Sequence, residues 1–355
     1  MFLAIRDIRF AKGRFALMGS VVGLITLLIV LLSGLTAGLA HQSTSAITQL
    51  PATRIAFGAA TGQAPEKSFA DSTITQDQLD SYRGAPGVRW AEPLGITQTR
   101  LDTPTGGAAA TVFGVRPGAG LSPAEVAPGS VVISRELADE HGLAVGQHVQ
   151  AGTEQLLVSG IVEDAYYSHT PVAWTTLETW SQLRPPRADA AVATVIAADV
   201  ADPAAADAAA GTVSETVAGS LSGIGSYSSE NGSLLMMQGL LYAISALVIG
   251  AFMTVWTIQR SGDIAVLKAL GGATGYLLRD ALAQSVIVLL LGAGLGGAVG
   301  VGLGAAAAQV VPFQLTAATT VLPVALMIVL GMIGAALAVR RITSVDPLTA
   351  LGAAR

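Results

Sequence analysis

The stretch Arg260–Arg279, RSGDIAVLKALGGATGYLLR, lies between two of the most apolar runs in the chain. It carries three basic residues, Arg260, Lys268 and Arg279, against the acids Asp263 and, just beyond it, Asp280. Helical spacing puts Ile264, Leu267, Lys268 and Gly271 on one side. Gly271-Gly272 ends that helix, because glycine readily takes the left-handed conformation of a helix terminus. Two readings follow. One is a short amphipathic helix on the inner membrane surface, offered to something that grasps it from the cytoplasm. The other is an ordinary cytoplasmic loop whose charges snorkel beside lipid. In both, the flanking runs cross the membrane.

Working outward, those flanks are Leu234–Ile258 and Ala281–Val311, with Pro312 marking the end of the latter and a further run over Val321–Val339. Near the start, Phe15–Ala40 has no charge over 26 residues, and a spanning helix needs roughly 20. A signal peptide competes for that stretch, since Gly38-Leu39-Ala40 resembles a cleavage site, but a signal h-region is only about 7–15 residues long. The whole chain, 355 residues, is 52% hydrophobic and 12% charged, with mean hydropathy +0.60; a soluble domain carries about 25% charged residues. It is therefore expected to be a membrane protein. With no cysteine, disulfides, zinc-thiolate sites and a cysteine nucleophile are excluded.

Charge sets the orientation. Residues 41–232 hold 9 Lys and Arg against 20 Asp and Glu; the rest of the chain holds 10 against 4. Basic residues gather in MFLAIRDIRFAKGR, in the 260–279 loop and in the tail from Arg340-Arg341, and cytoplasmic loops carry the Lys/Arg excess. Both termini and the loop are thus expected inside, with residues 41–232 outside. The resulting fold class is membrane α-helical: four transmembrane helices, with an extracytoplasmic α+β domain inserted between helices 1 and 2. The segments are an amphipathic N-terminal helix (1–14), spans at 15–40, 233–258, 281–311 and 321–339, the outer domain (41–232), a cytoplasmic coupling segment (259–280) and a cytoplasmic tail (340–355). The protein is expected in the cytoplasmic membrane, in contact with lipid.

Within the outer domain, strand signals run over Ala110–Val115, Val131–Ile133, Val145–Val149, Gln155–Val162 and Ala190–Val200. Ser134 is a candidate N-cap for the helix RELADEH, which ends at Gly142; the capping box is incomplete, because Leu137 stands three residues on. Asp202-Pro203 opens an Ala-rich helix with an N-cap and a first-turn proline. Ser220–Ser233, SLSGIGSYSSENGS, reads as a flexible connection back to the membrane.

The uncharged runs contain no Asp, Glu, Lys, Arg or His, which argues against a proton-coupled transporter or a voltage sensor. Four helices are few for a transport path in one chain, so a homodimer is expected. Gly292, Gly296, Gly300 and Gly304 recur at steps of four, as do the pairs Gly19/Gly23 and Gly34/Gly38. Such rows let another helix backbone approach closely, from within the chain or from a second copy. His41 shares a face with Gly34 and Gly38.

The outer end of the second span carries more chemistry. Glu230, Leu234, Met237 and Leu241 fall on one helical face if the helix begins before Ser233. Tyr227 lies one turn before Glu230, and Met236 and Tyr242 lie close by. An acid, tyrosines and methionines at the outer leaflet suit an amphipathic, metal-containing ligand such as haem, whose ring wants apolar walls and whose iron accepts Tyr, Met, His or carboxylate ligands. The competing reading is a solvated acid, interfacial tyrosines and packing methionines. No P-loop, GxSxG, HExxH or CxxC occurs. Nothing basic or aromatic suggests nucleic acid.

The 260–279 stretch resembles the coupling segment of the FtsX/MacB-type (type VII) ABC permeases, in which a basic residue, an acid and an I-x-x-L-K-A-L-G-A run lead out of the second helix. Here the run is Ile264, Leu267, Lys268, Ala269, Leu270 and Gly271, and the acid is Asp263 where the family more often has Glu. The tail RRITSVDPLTALG is similar to the family's closing motif through Arg340, Arg341, Asp346, Pro347 and Leu351. Ser134–Asp164 resembles its small strand-rich lobe. The resemblance implies two permease copies paired with two copies of a separate ABC ATPase, which carries ATP and Mg, so that this chain is not itself an enzyme. It makes Arg260, Asp263, Leu267, Lys268 and Gly271 the coupling residues. The start MFLAIRDIRFAKGRF and the modest outer domain look most like the haem-exporter permeases of Gram-positive bacteria (HrtB-like). That implies haem as transported substrate with no covalently bound cofactor. Glu230 would then ligate the iron, the only metal expected, with Tyr227, Met236, Met237, Tyr242 and His41 as further contacts. An FtsX-like regulator of cell-wall hydrolases, or an exporter of peptide antibiotics or lipoproteins, are the alternatives.

Overall fold

The computed structural model describes residues 12–60, 62–184, 191–259 and 274–343. Two compact units emerge, one over Leu39–Asn231 and one from Met1–Gly38 with Gly232–Arg355. Helix α1 (Lys12–Thr48) leads from the second into the first. There the elements are β1 (Arg54–Phe57), β2 (Ile74–Thr75), α2 (Gln76–Gly84), β3 (Val88–Thr103), β4 (Gly106–Val115), β5 (Ser130–Ser134), α3 (Arg135–His141), β6 (His148–Ala151) and β7 (Glu154–Val162). They continue with β8 (Tyr166–Tyr167), β9 (Thr170–Thr176), α4 (Leu177–Leu183), β10 (Ala191–Ala193), β11 (Val195–Val200), α5 (Pro203–Ala210), β12 (Val213–Thr216) and α6 (Val217–Ser220).

The main sheet runs β12-β1-β11-β3-β4-β9-β5-β7-β6, with β8 paired to β9. Strand β3 organises it. Its first half pairs with β11, Leu94 opposite Val195, and its second half pairs with β4 from Gly95 to Thr103. Near its end, Leu101 and Asp102 pair with Ala151 and Gln150 of β6. That last pairing closes β3, β4, β9, β5, β7 and β6 on themselves, which removes the sheet edges on that side. Inside the closure sit Leu101, Val131, Ile133, Leu137, Val149, Leu156 and Val158, all nearly inaccessible. A second core gathers Phe57, Phe69, Phe113, Tyr167 and Trp174 edge to face, with ring centroids 4.9–5.8 Å apart. Each such pair adds about 0.5–1.5 kcal/mol beyond area burial.

Helix ends follow local chemistry. Ser134 Oγ accepts from Leu137 N at 3.4 Å, and Gly142 closes α3 in the left-handed region at φ 63°. Asp202 caps α5 through Ala205 N at 3.2 Å, with Pro203 in the first turn. A full capping box opens α2: Thr75 Oγ1 accepts from Gln78 N, and Gln78 Oε1 accepts from Thr75 N.

Gly95 and Gly114 face each other across β3 and β4. Together they leave a slot for the Trp180 indole of α4, whose Nε1 donates to Thr97 Oγ1 at 2.8 Å. A Cβ on either glycine would overlap the Trp180 side chain. Gly95→Ala is therefore expected to lower stability by roughly 1–3 kcal/mol, read as a fall in the melting temperature of the purified protein; an unchanged melt would show that the slot relaxes freely.

Helix α7 (Gly225–Gln259) leads into the other unit, which it enters at Gly232, and α8 (Thr274–Ala307) and α9 (Ala317–Thr343) follow there. Among the described residues four helices are long and apolar enough to cross a membrane: Phe15–Thr48, Gly225–Phe252, Leu282–Ala307 and Ala317–Leu337. Two corrections to the sequence expectations arise. Ser220–Ser233 is not a flexible connection, since α6 is followed by a single 3-10 turn and then by α7 from Gly225 onward. Serine, glycine and asparagine are weak helix formers, but the segment continues a long apolar helix and inherits its register. The strand expected over Val145–Val149 starts only at His148, because Gly146 takes φ 93° in the preceding turn.

The glycine row is an intrachain seam. A Cβ on Gly292 would lie 2.7 Å from Gly19 O, and one on Gly296 would overlap the Gly23 carbonyl oxygen. Further along, a Cβ on Gly300 would lie 3.1 Å from Val30, and one on Gly304 or Gly34 would overlap the Phe313 ring. Glycine in these places lets α1 and α8 touch backbone to backbone, the packing that holds helices together where lipid removes the hydrophobic drive.

Candidate functional site

The site grows from a two-residue hairpin. Tyr167 and Thr170 pair across β8 and β9, leaving Ser168 and His169 as the turn. Both have positive φ, 50° and 66°, as a type I′ turn requires. Asn-Gly would be the ordinary choice; Ser-His costs of the order of 1 kcal/mol or more per residue. The turn is held by main-chain bonds, Ser168 N to Ser43 O and His169 N to Gln42 O, both 3.0 Å. Ser168 Oγ meets Ser226 Oγ at 2.8 Å, and Tyr166 N donates to Ser45 Oγ at 2.8 Å.

Held this way, His169 Nε2 lies 2.9 Å from Glu230 Oε2 and 2.9 Å from Ser43 Oγ. A carboxylate oxygen accepts, so the Nε2–H tautomer donates to Glu230, and Ser43 Oγ meets the same ring nitrogen. Serine, histidine and acid together resemble a hydrolase triad, but a relay needs the two partners on different ring nitrogens. Here both share one, so the histidine orients Glu230 without activating Ser43. The Glu230 side chain is 43% exposed and that of His169 28%. The carboxylate is thus aimed by a neighbour yet open to an incoming group.

Tyr227, one turn earlier on α7, packs partly buried against the aromatic core. His41 is exposed, its ring edge-on to Tyr166 at 6.1 Å. Tyr166 donates to Glu136. Burial first, and then that carboxylate, push its pKa well above the usual phenol range, so it serves as a donor and not as a phenolate. Met236 and Met237 are exposed, and Tyr242 is half-buried against the core of the membrane unit. The helix ends extend past the uncharged runs read from sequence, so that His41 and Glu230 belong to the spanning helices themselves. His169 was not singled out by sequence reasoning. The available signal was a two-residue turn without glycine or asparagine, inside a YYSHTP segment.

Arg260, Asp263, Leu267, Lys268 and Gly271 lie outside the described residues, as do the first eleven residues and the tail from 344. Among the described residues no group of three or more His, Asp or Glu could hold a metal ion.

Four helices long and apolar enough to span, with an α+β domain after the first, fit a multi-pass membrane protein. Residues 15–215 match the family model of the MacB-like periplasmic core domain, more than half the chain, and residues 235–347 match that of the FtsX-like permease C-terminal region. The chain belongs to the MacB/FtsX family of ABC transporter permeases. It is 26% identical, over 99% of both chains, to a Staphylococcus haemolyticus protein named as the hemin transport system permease protein HrtB. An uncharacterised ABC transporter permease of Mycobacterium bovis is also 26% identical over 99% of both chains. The periplasmic region of MacB from Actinobacillus actinomycetemcomitans aligns with TM-score 0.36 and 10% identity, covering 48% of this chain and 92% of that one.

Proposed function

We propose that this chain is the permease of an ABC efflux pump that expels haem from the outer leaflet of the cytoplasmic membrane, driven by a separate ATPase. The observation that carries the reading is Glu230: a half-exposed carboxylate at the outer end of a spanning helix, aimed by His169 and followed on the same helix by exposed methionines. Full-length likeness to proteins named as hemin permeases supports it. A carboxylate oxygen ligates haem iron, while Tyr227, Met236, Met237, Tyr242 and His41 are the groups proposed around the porphyrin. Two copies would present two such sites, both termini inside. Purified permease in lipid nanodiscs is expected to shift the Soret band of haemin saturably. A regulator of cell-wall hydrolases, or an exporter of peptides or lipoproteins, predicts no shift, and that outcome would remove haem as cargo.

The family implies an ATPase partner, and we assign its docking to the 260–279 segment through Arg260, Asp263, Leu267, Lys268 and Gly271. Lys268→Glu is then expected to leave haemin binding intact while haemin-stimulated ATPase activity of the assembled pump falls at least tenfold. Lost haemin binding with normal stimulation would refute that role.

A further inference from the structure

Between α1 and α8 the membrane unit carries an apolar groove of about 630 Å³, lined by seven residues of each helix over positions 15–27 and 287–299. Its floor is the glycine seam, where a Cβ on Gly23 would lie 3.1 Å from Gly292 O. Its walls include Leu24, Leu291, Leu295 and Val299, each at least half exposed. Ser20 is the one polar side chain in the lining, and its Oγ donates to Leu17 O of its own helix at 2.8 Å. The side chains of the groove therefore offer an occupant apolar contact and no charge. Twelve residue steps along α1, at about 1.5 Å each, give it a length of about 18 Å. Beyond it the ring of Phe313 stands where a Cβ on Gly34 or Gly304 would be, which closes the seam.

These dimensions select the occupant. Half of a bilayer's hydrocarbon core is about 15 Å thick, so the groove covers one leaflet, whereas a spanning helix from a second copy crosses both. At roughly 30 Å³ per methylene, about the volume of a water, the groove takes about twenty carbons, which is one acyl chain and not two. Helix α1 joins the α+β unit only at Leu39. The groove thus lies in the leaflet at the other end of the helix, the inner one when the termini are inside. At that end the sequence carries Arg6, Arg9, Lys12 and Arg14 against Asp7 alone, which favours an anionic headgroup. We propose that this groove binds an anionic phospholipid of the inner leaflet, with one acyl chain lying along the glycine seam.

The test uses the full-length permease in phosphatidylcholine nanodiscs. They hold a trace of phosphatidylglycerol that carries a diazirine midway along one acyl chain. After irradiation, adducts at Leu24 and Leu295 should exceed those at Leu337, a 63% exposed residue near the end of α9, by at least about tenfold. Unlabelled phosphatidylglycerol should erase that excess. Ser20→Phe fills the groove from an exposed position and should abolish the excess. Leu17→Phe adds the same ring at an exposed position outside the lining and should preserve it. Equal labelling at Leu24, Leu295 and Leu337 would mean that lipid only bathes the surface. Protection of Leu24 and Leu295 below Leu337 would mean that protein, such as a second copy, covers the groove. Either result overturns the proposal, as does an excess that survives in Ser20→Phe. The haemin Soret shift reads the Glu230 site on the same samples, so the two proposals fail separately.

Discussion

Replacing Gly296 by valine is expected to destabilise the membrane unit by on the order of 3 kcal/mol. The α1–α8 seam is built from backbone touching backbone, and even a Cβ at 296 would coincide with the carbonyl oxygen of Gly23. Nothing at that point is a flexible side-chain end that could swing aside. Relief requires the two helices to separate, which also loosens Gly23 against Gly292 and Gly19 against Gly292. Gly294 and Gly302 lie on the same helix with nothing within 4 Å of a Cβ. Valine at either should leave stability within about 0.5 kcal/mol. Thermal melts of the three variants in one detergent decide the matter: equal losses at 294, 296 and 302 would mean that helix propensity, not the seam, sets the cost.

The second large effect is expected at Glu230. Glu230→Ala removes the proposed iron ligand and leaves His169 Nε2 with only Ser43. Haemin affinity should fall by roughly 10–100-fold, the scale of losing one strong polar contact at a binding site. Glu230→Gln keeps a hydrogen-bond acceptor for His169 but supplies a poor metal ligand, so it should resemble alanine in haemin affinity while keeping the wild-type melt. His169→Asn separates positioning from ligation. Asparagine tolerates positive φ, so the hairpin should persist, with a loss in affinity smaller than that of Glu230→Ala. If Glu230→Gln binds haemin as wild type does, iron ligation by this carboxylate is wrong.

Much of the architecture was legible in the chain itself. Long uncharged runs read as helices in a bilayer, because a helix satisfies its backbone hydrogen bonds within one segment. The acidic middle, interrupted by Pro and Gly, could not span. Ser134 and Asp202 announced their helices because capping is a local exchange between a side chain and the next turn. The same local exchange operates at Thr75–Gln78, a T-x-x-Q box. Strand β3 was harder to see: Pro93 and Gly95 interrupt it, and its two halves are stabilised by different partners, which periodicity along one strand does not register. The first turns of α7 were missed for a related reason. Their serines and glycines disfavour helix locally, and only continuity with the span below holds them in register.

The site divides along the same line. Sequence aligned Glu230 with Leu234, Met237 and Leu241 on one face, on the condition that the helix starts before Ser233, because i, i+4 and i+7 spacing is a property of the helix alone; the structure meets that condition, with α7 starting at Gly225. It also determined the glycine row, but not whether the row faced a helix of its own chain. That required knowing that α1 returns beside α8, a contact between residues more than 250 positions apart. His169 became visible only in three dimensions. It lies 61 residues from Glu230 and 126 from Ser43, on a strained turn that no local propensity favours and that tertiary hydrogen bonds hold in place. Local hydrophobicity, charge and capping act over a few residues and can be read from the chain. The aiming of a carboxylate depends on which distant strand is brought beside it, and that the fold alone decides.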